Sequence, residues 1–261
     1  MADTRRGEQA KGDESSTMID MAEKIMIGCP VRNRAWSLGY YLTSIKRLAY
    51  PESRLEFCFI INDCIDETPQ ILEDFARREN GRVRLIYYDL GQKYGHLRGQ
   101  YNFSQLARLR NRLLEAFLES DAAYLFSVDS DILVPVDSLS LLLQDDCDIV
   151  SALVCNGEEV GDNSIYNILV KDAAGNLVHC RDFPRDRVFP VDCTGAAYLI
   201  KRKVIASLGI RYSSDDGAED IGFCRQAQEK GIGIFCDGRI ECIHLMREDT
   251  TLLSSKKTKI P

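Results

Sequence analysis

Asp129 and Asp131, separated by one serine, close an apolar run that begins Ala123-Tyr124-Leu125-Phe126-Ser127-Val128. Such a run reads as a strand covered on both faces, as in a parallel sheet, and open α/β sheets bind ligands at the carboxyl ends of their strands. Two hard oxygen ligands there suit Mg²⁺ or Mn²⁺ and, through the cation, a phosphate. The same Asp-Ser-Asp also makes an ordinary solvated turn, so other residues must decide. Downstream, Asp215-Asp216-Gly217-Ala218-Glu219-Asp220 leads into a helical pattern running to Lys230. Acids in a first turn are also what capping and the helix dipole favour. His244, one of three histidines, ends the apolar run Ile240 to Leu245.

The elements that must position these groups follow from periodicity. Lys24 to Cys29 reads as a first strand stopped by Pro30, Trp36 to Leu48 as a helix and Leu55 to Ile61 as a second strand. Thr68 to Arg78 is an amphipathic helix introduced by Asp66 and Thr68, and Arg82 to Tyr88 a third strand. This alternation implies right-handed βαβ units and a parallel sheet. Gly91 to Phe103 lacks periodicity and is expected to be a mobile loop. A helix over Ser104 to Glu119, capped by Ser104, then feeds the carboxylate strand. After Asp131 come a short helix from Pro135 to Gln144, a strand from Asp148 to Val154 and short strand-like pieces between Ile165 and Asp192. These favour antiparallel or mixed additions to the sheet. Thr194-Gly195-Ala196-Ala197 precedes a strand over Tyr198 to Lys201, and its small residues suit either close approach to a ligand or tight packing.

The chain of 261 residues is long enough for one large α/β domain, expected over residues 23–246 between an N-terminal extension (1–22) and a C-terminal tail (247–261). A net charge of −7, with the basic residues dispersed, argues against a nucleic-acid partner. No apolar stretch approaches the roughly 20 residues of a membrane helix, and no secretory signal stands at the N-terminus. The ten cysteines include no CxxC pair, which argues against zinc and for reduced thiols in a cytoplasmic protein.

Taken in order, the strand-end Asp-Ser-Asp, the glycine turn, the Glu-Asp at a helix start and the strand-end His resemble the GT-A glycosyltransferase fold, with its DxD, glycine loop, xED and C-terminal metal-binding His. Cys29-Pro30-Val31-Arg32-Asn33, Ile61-Asn62-Asp63-Cys64-Ile65-Asp66-Glu67-Thr68 and Arg110-Asn111 are similar to segments of family-2-like nucleotide-sugar transferases. The resemblance spans residues 24 to 246. It implies an α/β three-layer sandwich with a mixed central sheet, and an enzyme moving a sugar from a UDP- or GDP-sugar to a glycan, lipid-linked or protein hydroxyl. It further implies Asp131 and His244 as ligands of Mn²⁺ or Mg²⁺, with Asp129 on the ribose or a metal-bound water. Pro30, Arg32, Asn62 and Asp63 would line the base pocket, Arg108 or Arg110 the phosphates, and Gly195 the close approach to the donor. Asp220 would be the general base of an inverting transfer and Glu219 would hold an acceptor hydroxyl. Cys29 to Asn33 and the Tyr50-Pro51 turn are also similar to fungal mannan-synthesis mannosyltransferases, which retain configuration. A DxD phosphatase and a non-catalytic nucleotide-binding module are the remaining alternatives.

Overall fold

The computed structural model describes residues 22–91, 102–157, 161–215 and 217–246. The N-terminal extension, most of the 91–103 loop and the C-terminal tail therefore lie outside the described residues. The first half runs β1 (Ile25–Val31), α1 (Ala35–Lys46), β2 (Leu55–Ile61), α2 (Thr68–Arg78), β3 (Val83–Tyr87), α3 (Phe103–Glu119) and β4 (Tyr124–Val128). Strand β1 lies between β2 and β4, parallel to both, and β3 extends the sheet in parallel beyond β2. Alternation along β1 divides its side chains between two layers. Ile25, Ile27, Cys29 and Val31 join the core built with Leu38, Tyr41 and Ile45 of α1 and Leu72 and Phe75 of α2. Met26 joins the opposite core with Leu109, Leu113 and Phe117 of α3. Each fully buried side chain of this size stabilises the fold by about 1.5–3 kcal/mol, so the two apolar faces together fix the register.

The second half runs β5 (Ile132–Leu133), α4 (Ser138–Gln144), β6 (Ile149–Val154), β7 (Ile168–Lys171), β8 (Leu177–His179), β9 (Val188–Val191), β10 (Cys193–Thr194), β11 (Ala197–Lys201), α5 (Arg202–Ala206), α6 (Glu219–Glu229) and β12 (Ile234–His244). The main sheet has the order β3-β2-β1-β4-β11-β6-β12-β5, with β9 also pairing β12. Strand β11 is antiparallel to both its neighbours, β4 and β6, while β12 runs parallel to β6 and antiparallel to β9 and β5. A small antiparallel sheet, β10-β7-β8, stands beside it. Helix α4 packs on the α1 side of the sheet, and α5 and α6 on the α3 side. The result is the expected three-layer α/β sandwich around a mixed sheet.

Several boundaries differ from the sequence expectation, each for a physical reason. Strand β1 continues through Pro30 to Val31. The Val31 carbonyl accepts the Asn62 N–H on the β2 side, so alternation turns the Pro30 nitrogen toward β4, whose register with β1 ends at Gly28; the missing donor interrupts no ladder there. Helix α3 is capped by Asn102, which accepts the Gln105 N–H, and not by Ser104. Helix α4 starts at Ser138, three residues beyond Pro135. Strand β12 starts at Ile234 and not at Ile240, because a register shift between Asp237 and Glu241 interrupts its alternation. Asp66 and Thr68 do introduce α2, yet they also serve α1: Asp66 accepts the Ala35 N–H and Thr68 Oγ1 accepts the Arg34 N–H.

Candidate active site

The carboxyl ends of β1 and β4, the start of α6 and the end of β12 meet around a cavity of about 400 Å³. The Asp129-Ser130-Asp131 turn is fastened from three directions. On the α1 side, Ser37 donates to the Ser130 carbonyl at 2.9 Å and the Tyr41 hydroxyl to the Val128 carbonyl at 3.1 Å. From the β11 side the Ala196 carbonyl accepts the Asp129 N–H, and from β12 the Leu245 N–H reaches the Asp131 carbonyl, each at 2.8 Å. The antiparallel pairing of β5 with β12 sets His244 opposite Ile132, and so carries a residue more than a hundred positions away in sequence to the side of Asp131.

Arg110 is the charge centre of the cavity. From α3 it donates through Nε to Glu219 at 2.9 Å and through Nη2 to Asp129 at 3.1 Å, so one buried guanidinium binds the turn after β4 to the first residue of α6. Its Nη1 is buried without a hydrogen-bond partner among the described residues. Burial disfavours the Arg110 charge, but Asp129 and Glu219 outweigh it and hold the group well above its ordinary pKa. Burial pushes the Asp129 carboxyl above its ordinary value even though Arg110 opposes the shift. Asp220 is pushed well above the usual carboxylate range, by burial first and by neighbouring Glu219 second. Its Oδ1 is buried and unpartnered among the described residues.

Gly195 explains how Asp220 comes so close to the β10–β11 connection. A Cβ at Gly195 would stand 2.1 Å from Asp220 Oδ2, an impossible contact, so only glycine admits the carboxylate. Ala196 follows in the left-handed region at φ +66, and Asn167 holds the turn by donating to the Gly195 carbonyl at 2.8 Å. On the other side of α6, a Cβ at Gly222 would lie 2.2 Å from the Ser213 carbonyl. Asn111 fixes that preceding segment by exchanging two hydrogen bonds of 2.9 Å with the Tyr212 backbone.

Asp131 and His244 stand side by side, with Oδ2 and Nε2 3.9 Å apart. Cis ligands about 2.1 Å from an octahedral cation stand about 3.0 Å apart, so this pair would have to close by about 0.9 Å to share one. Asn156 Oδ1 lies 3.2 Å from His244 Nδ1; in the tautomer that donates this hydrogen bond from Nδ1, the Nε2 lone pair is free. Among the described residues no group of three or more His, Cys, Asp or Glu converges on one point.

Of the residues singled out by sequence, Pro30, Arg110, Asp129, Asp131, Gly195, Glu219, Asp220 and His244 line this cavity. Arg32, Asn62, Asp63 and Arg108 are not part of its lining. Asp63 holds the chain after β3, accepting the N–H groups of Leu90 and Gly91 at 3.0 and 3.2 Å, and Asn62 donates to it at 3.1 Å. Arg108 is exposed and donates to the Tyr88 hydroxyl at 3.3 Å. Sequence reasoning did not single out Arg34, nor Asn156, Tyr166 and His179 one by one, all of which line the cavity. Arg34 had a visible signal, a cation just ahead of a helix; the other three lie in the irregular second half, where pairing alone reveals them.

The model of the family "Glycosyltransferase family 25, N-terminal domain" matches residues 22–169, which include the DxD turn and precede Glu219, Asp220 and His244. A glycosyltransferase 25 family member of Anopheles gambiae is 24% identical over 156 residues, covering 55% of this chain and 26% of the relative. The mannan polymerase II complex anp1 subunit of Schizosaccharomyces pombe is 27% identical over 147 residues, covering 49% of this chain and 34% of the relative. The chain thus spans about a third or less of these relatives' lengths. Among solved structures, GalNAc-T7 with UDP, GalNAc and Mn²⁺ superposes with a TM-score of 0.64 at 14% identity, over 87% of this chain and 45% of that one. The shared architecture is the GT-A fold.

Proposed function

We propose, for a chain that belongs to glycosyltransferase family 25, that the cavity transfers a sugar from a UDP- or GDP-sugar to an acceptor hydroxyl, with a divalent cation and with inversion. The observation that carries the proposal is the division of labour among its acids. Glu219 and Asp129 share Arg110, Asp131 stands beside His244, and Asp220 keeps a buried oxygen without a partner. A carboxylate in that state accepts a proton.

In the reaction, Asp131 and His244 would hold Mn²⁺ or Mg²⁺ against the donor diphosphate, where the cation offsets the charge that grows on the leaving group. Asp220 would take the proton of the acceptor hydroxyl as its oxygen bonds to the anomeric carbon and the bond to the diphosphate breaks. The raised pKa of Asp220 makes it a stronger base than an ordinary carboxylate. Glu219, held by Arg110, would orient the acceptor, and Gly195 would keep Asp220 at the cavity wall. Pro30 at the end of β1 borders the donor, while Arg32, Asn62 and Asp63 shape the base side indirectly, through the loops between β1 and α1 and between β2 and α2. Mn²⁺ together with UDP and GalNAc in GalNAc-T7 supports the metal and the donor class.

A retaining, mannosyltransferase-like course is the second reading, favoured by the likeness to the anp1 subunit. Among the described residues no helix is long and apolar enough to cross a membrane. A thermal-shift screen of UDP- and GDP-sugars with and without Mn²⁺ tests the proposal: stabilisation by one nucleotide series only when Mn²⁺ is present supports it, and no response to any donor contradicts it.

A further inference from the structure

Arg34 sits between β1 and α1 and lines the cavity beside Asp131. Its Nη2 lies 3.4 Å from Asp131 Oδ2, on the same carboxylate oxygen that faces His244 at 3.9 Å. Its Nη1 makes two long hydrogen bonds, of 3.3 and 3.4 Å, to the carbonyls of Arg32 and Asn33. Its Nε is buried and has no partner among the described residues. The guanidinium is therefore held in place but poorly answered, with five N–H donors, loose contacts for two of its nitrogens and none for the third. A buried donor left unmade is costly, and a charged one more so. The backbone beneath it is rigid: the Arg34 N–H donates to Thr68 at 2.7 Å, Asn33 takes a left-handed turn at φ +50, and Ser37 ties the first turn of α1 to Ser130.

We propose that Arg34 is a diphosphate-binding residue which, without donor, occupies the Asp131 carboxylate as a stand-in cation and gives it up when the metal–diphosphate arrives. The inference rests on the proposed function and adds to it a ligand-binding residue. Asp131 Oδ2 is approached by Arg34 at 3.4 Å and faces His244 at 3.9 Å, so a cation bound there would compete with the guanidinium for the same oxygen. Exchange is balanced in charge, since the divalent cation takes the carboxylate and the guanidinium takes phosphate oxygens. Arginine suits that exchange because its planar fork binds phosphate through two nitrogens at once.

The test is calorimetric titration of the full chain and of Arg34→Met and Arg34→Lys, first with Mn²⁺ alone and then with UDP or GDP in saturating Mn²⁺. Removing a rival cation from Asp131 should tighten Mn²⁺ binding without nucleotide by about 2–5-fold in Arg34→Met. Removing the phosphate partner should weaken nucleotide binding in the same variant by about 10- to 100-fold. Arg34→Lys keeps the charge and loses the fork, so it should recover part of the nucleotide affinity. These opposite signs in one variant are the signature, because simple damage to the site weakens both ligands. Equal nucleotide affinity in wild type and Arg34→Met, or weaker binding of Mn²⁺ alone, overturns the inference. A wild-type protein that binds neither nucleotide with Mn²⁺ overturns the proposed function itself.

Discussion

Arg110 and Arg239 each bridge a pair of acids, and they do so in opposite ways. Arg239 lies in the irregular stretch of β12 and closes on its own neighbour, donating through Nε and Nη2 to Asp237 at 2.8 Å, with one further contact to Asp145 at 2.6 Å just after α4. Arg110 reaches from α3 to the turn after β4 and to the first residue of α6, so it ties three elements that have no local reason to meet. Both clusters contain a carboxyl pushed upward: Asp145 to about 6, by burial and then by Asp237, and Asp220 well above its ordinary value, by burial and then by Glu219. Each also leaves one buried carboxylate oxygen unanswered among the described residues. A raised pKa therefore does not by itself mark a functional centre. What separates the clusters is convergence on a cavity, where Asp131, His244 and Arg34 join Asp129, Glu219 and Asp220.

The largest expected effect falls on Asp220. Asp220→Asn keeps the size and removes the proposed base, so turnover should drop by about 10²–10⁴-fold with donor affinity little changed. The wild-type rate should rise with pH along a limb above the ordinary carboxylate range, because Asp220 must lose its proton to act, and the variant's residual rate should lack that limb. Steady-state rates and donor titrations across pH measure both, and a variant at wild-type rate removes Asp220 from the chemistry. Next in size, Arg110→Met strands Asp129 and Glu219 and should cost about 3–5 kcal/mol of stability. Arg239→Met strands Asp237 and Asp145, which are no less buried, and should cost a similar amount, about 3–5 kcal/mol, but leave turnover intact. Denaturant unfolding together with activity separates the two, and a turnover loss in Arg239→Met would erase the contrast.

Gly195→Ala drives a methyl into Asp220 and should cost about 1–3 kcal/mol, again with reduced turnover, whereas a silent substitution would mean that Asp220 moves freely. The smallest effect concerns pH and Asp145. Its folded pKa is raised, so the stability it contributes is fullest at acid pH below the unfolded value near 4 and is lost as pH rises through about 6. Asp145→Asn fixes the neutral form and should raise stability above pH 6 on the order of 1 kcal/mol, or about 2–4 °C of melting temperature. A lower melting point at pH 7.5 would show that the pair with Arg239 outweighs desolvation.

Much of the first half was legible because burial on both faces leaves continuous apolar strands, as in Leu55 to Ile61, and amphipathic helices such as Thr68 to Arg78. The acids at Asp129 and Asp131 and at Glu219 and Asp220 were legible for the same reason, since each follows or opens a strongly patterned element. Arg34 and Asn156 were not, because their roles depend on which carboxylate and which imidazole the tertiary pairing brings beside them. The true start of β12 was hidden by its own irregularity. Gly238 there packs so tightly that a Cβ would lie 1.9 Å from the Pro184 carbonyl, and the residues around it break the alternation that betrays a strand. The occupation of Asp63 by the Leu90 and Gly91 N–H groups was likewise invisible, since it joins the turn after β2 to the chain after β3.

The pairing of Asp131 with His244 has one proposed purpose, to hold a divalent cation on a nucleotide-sugar donor. It is tested most directly by following release of nucleoside diphosphate from UDP- and GDP-sugars in wild type, Asp131→Ala and His244→Ala, with Mn²⁺ and with excess chelator. Wild type should turn over one donor series only with Mn²⁺, losing all turnover to the chelator, and both variants should be inactive at Mn²⁺ concentrations that saturate wild type. Turnover that survives the chelator, or an Asp131→Ala variant as active as wild type in Mn²⁺, would contradict the account.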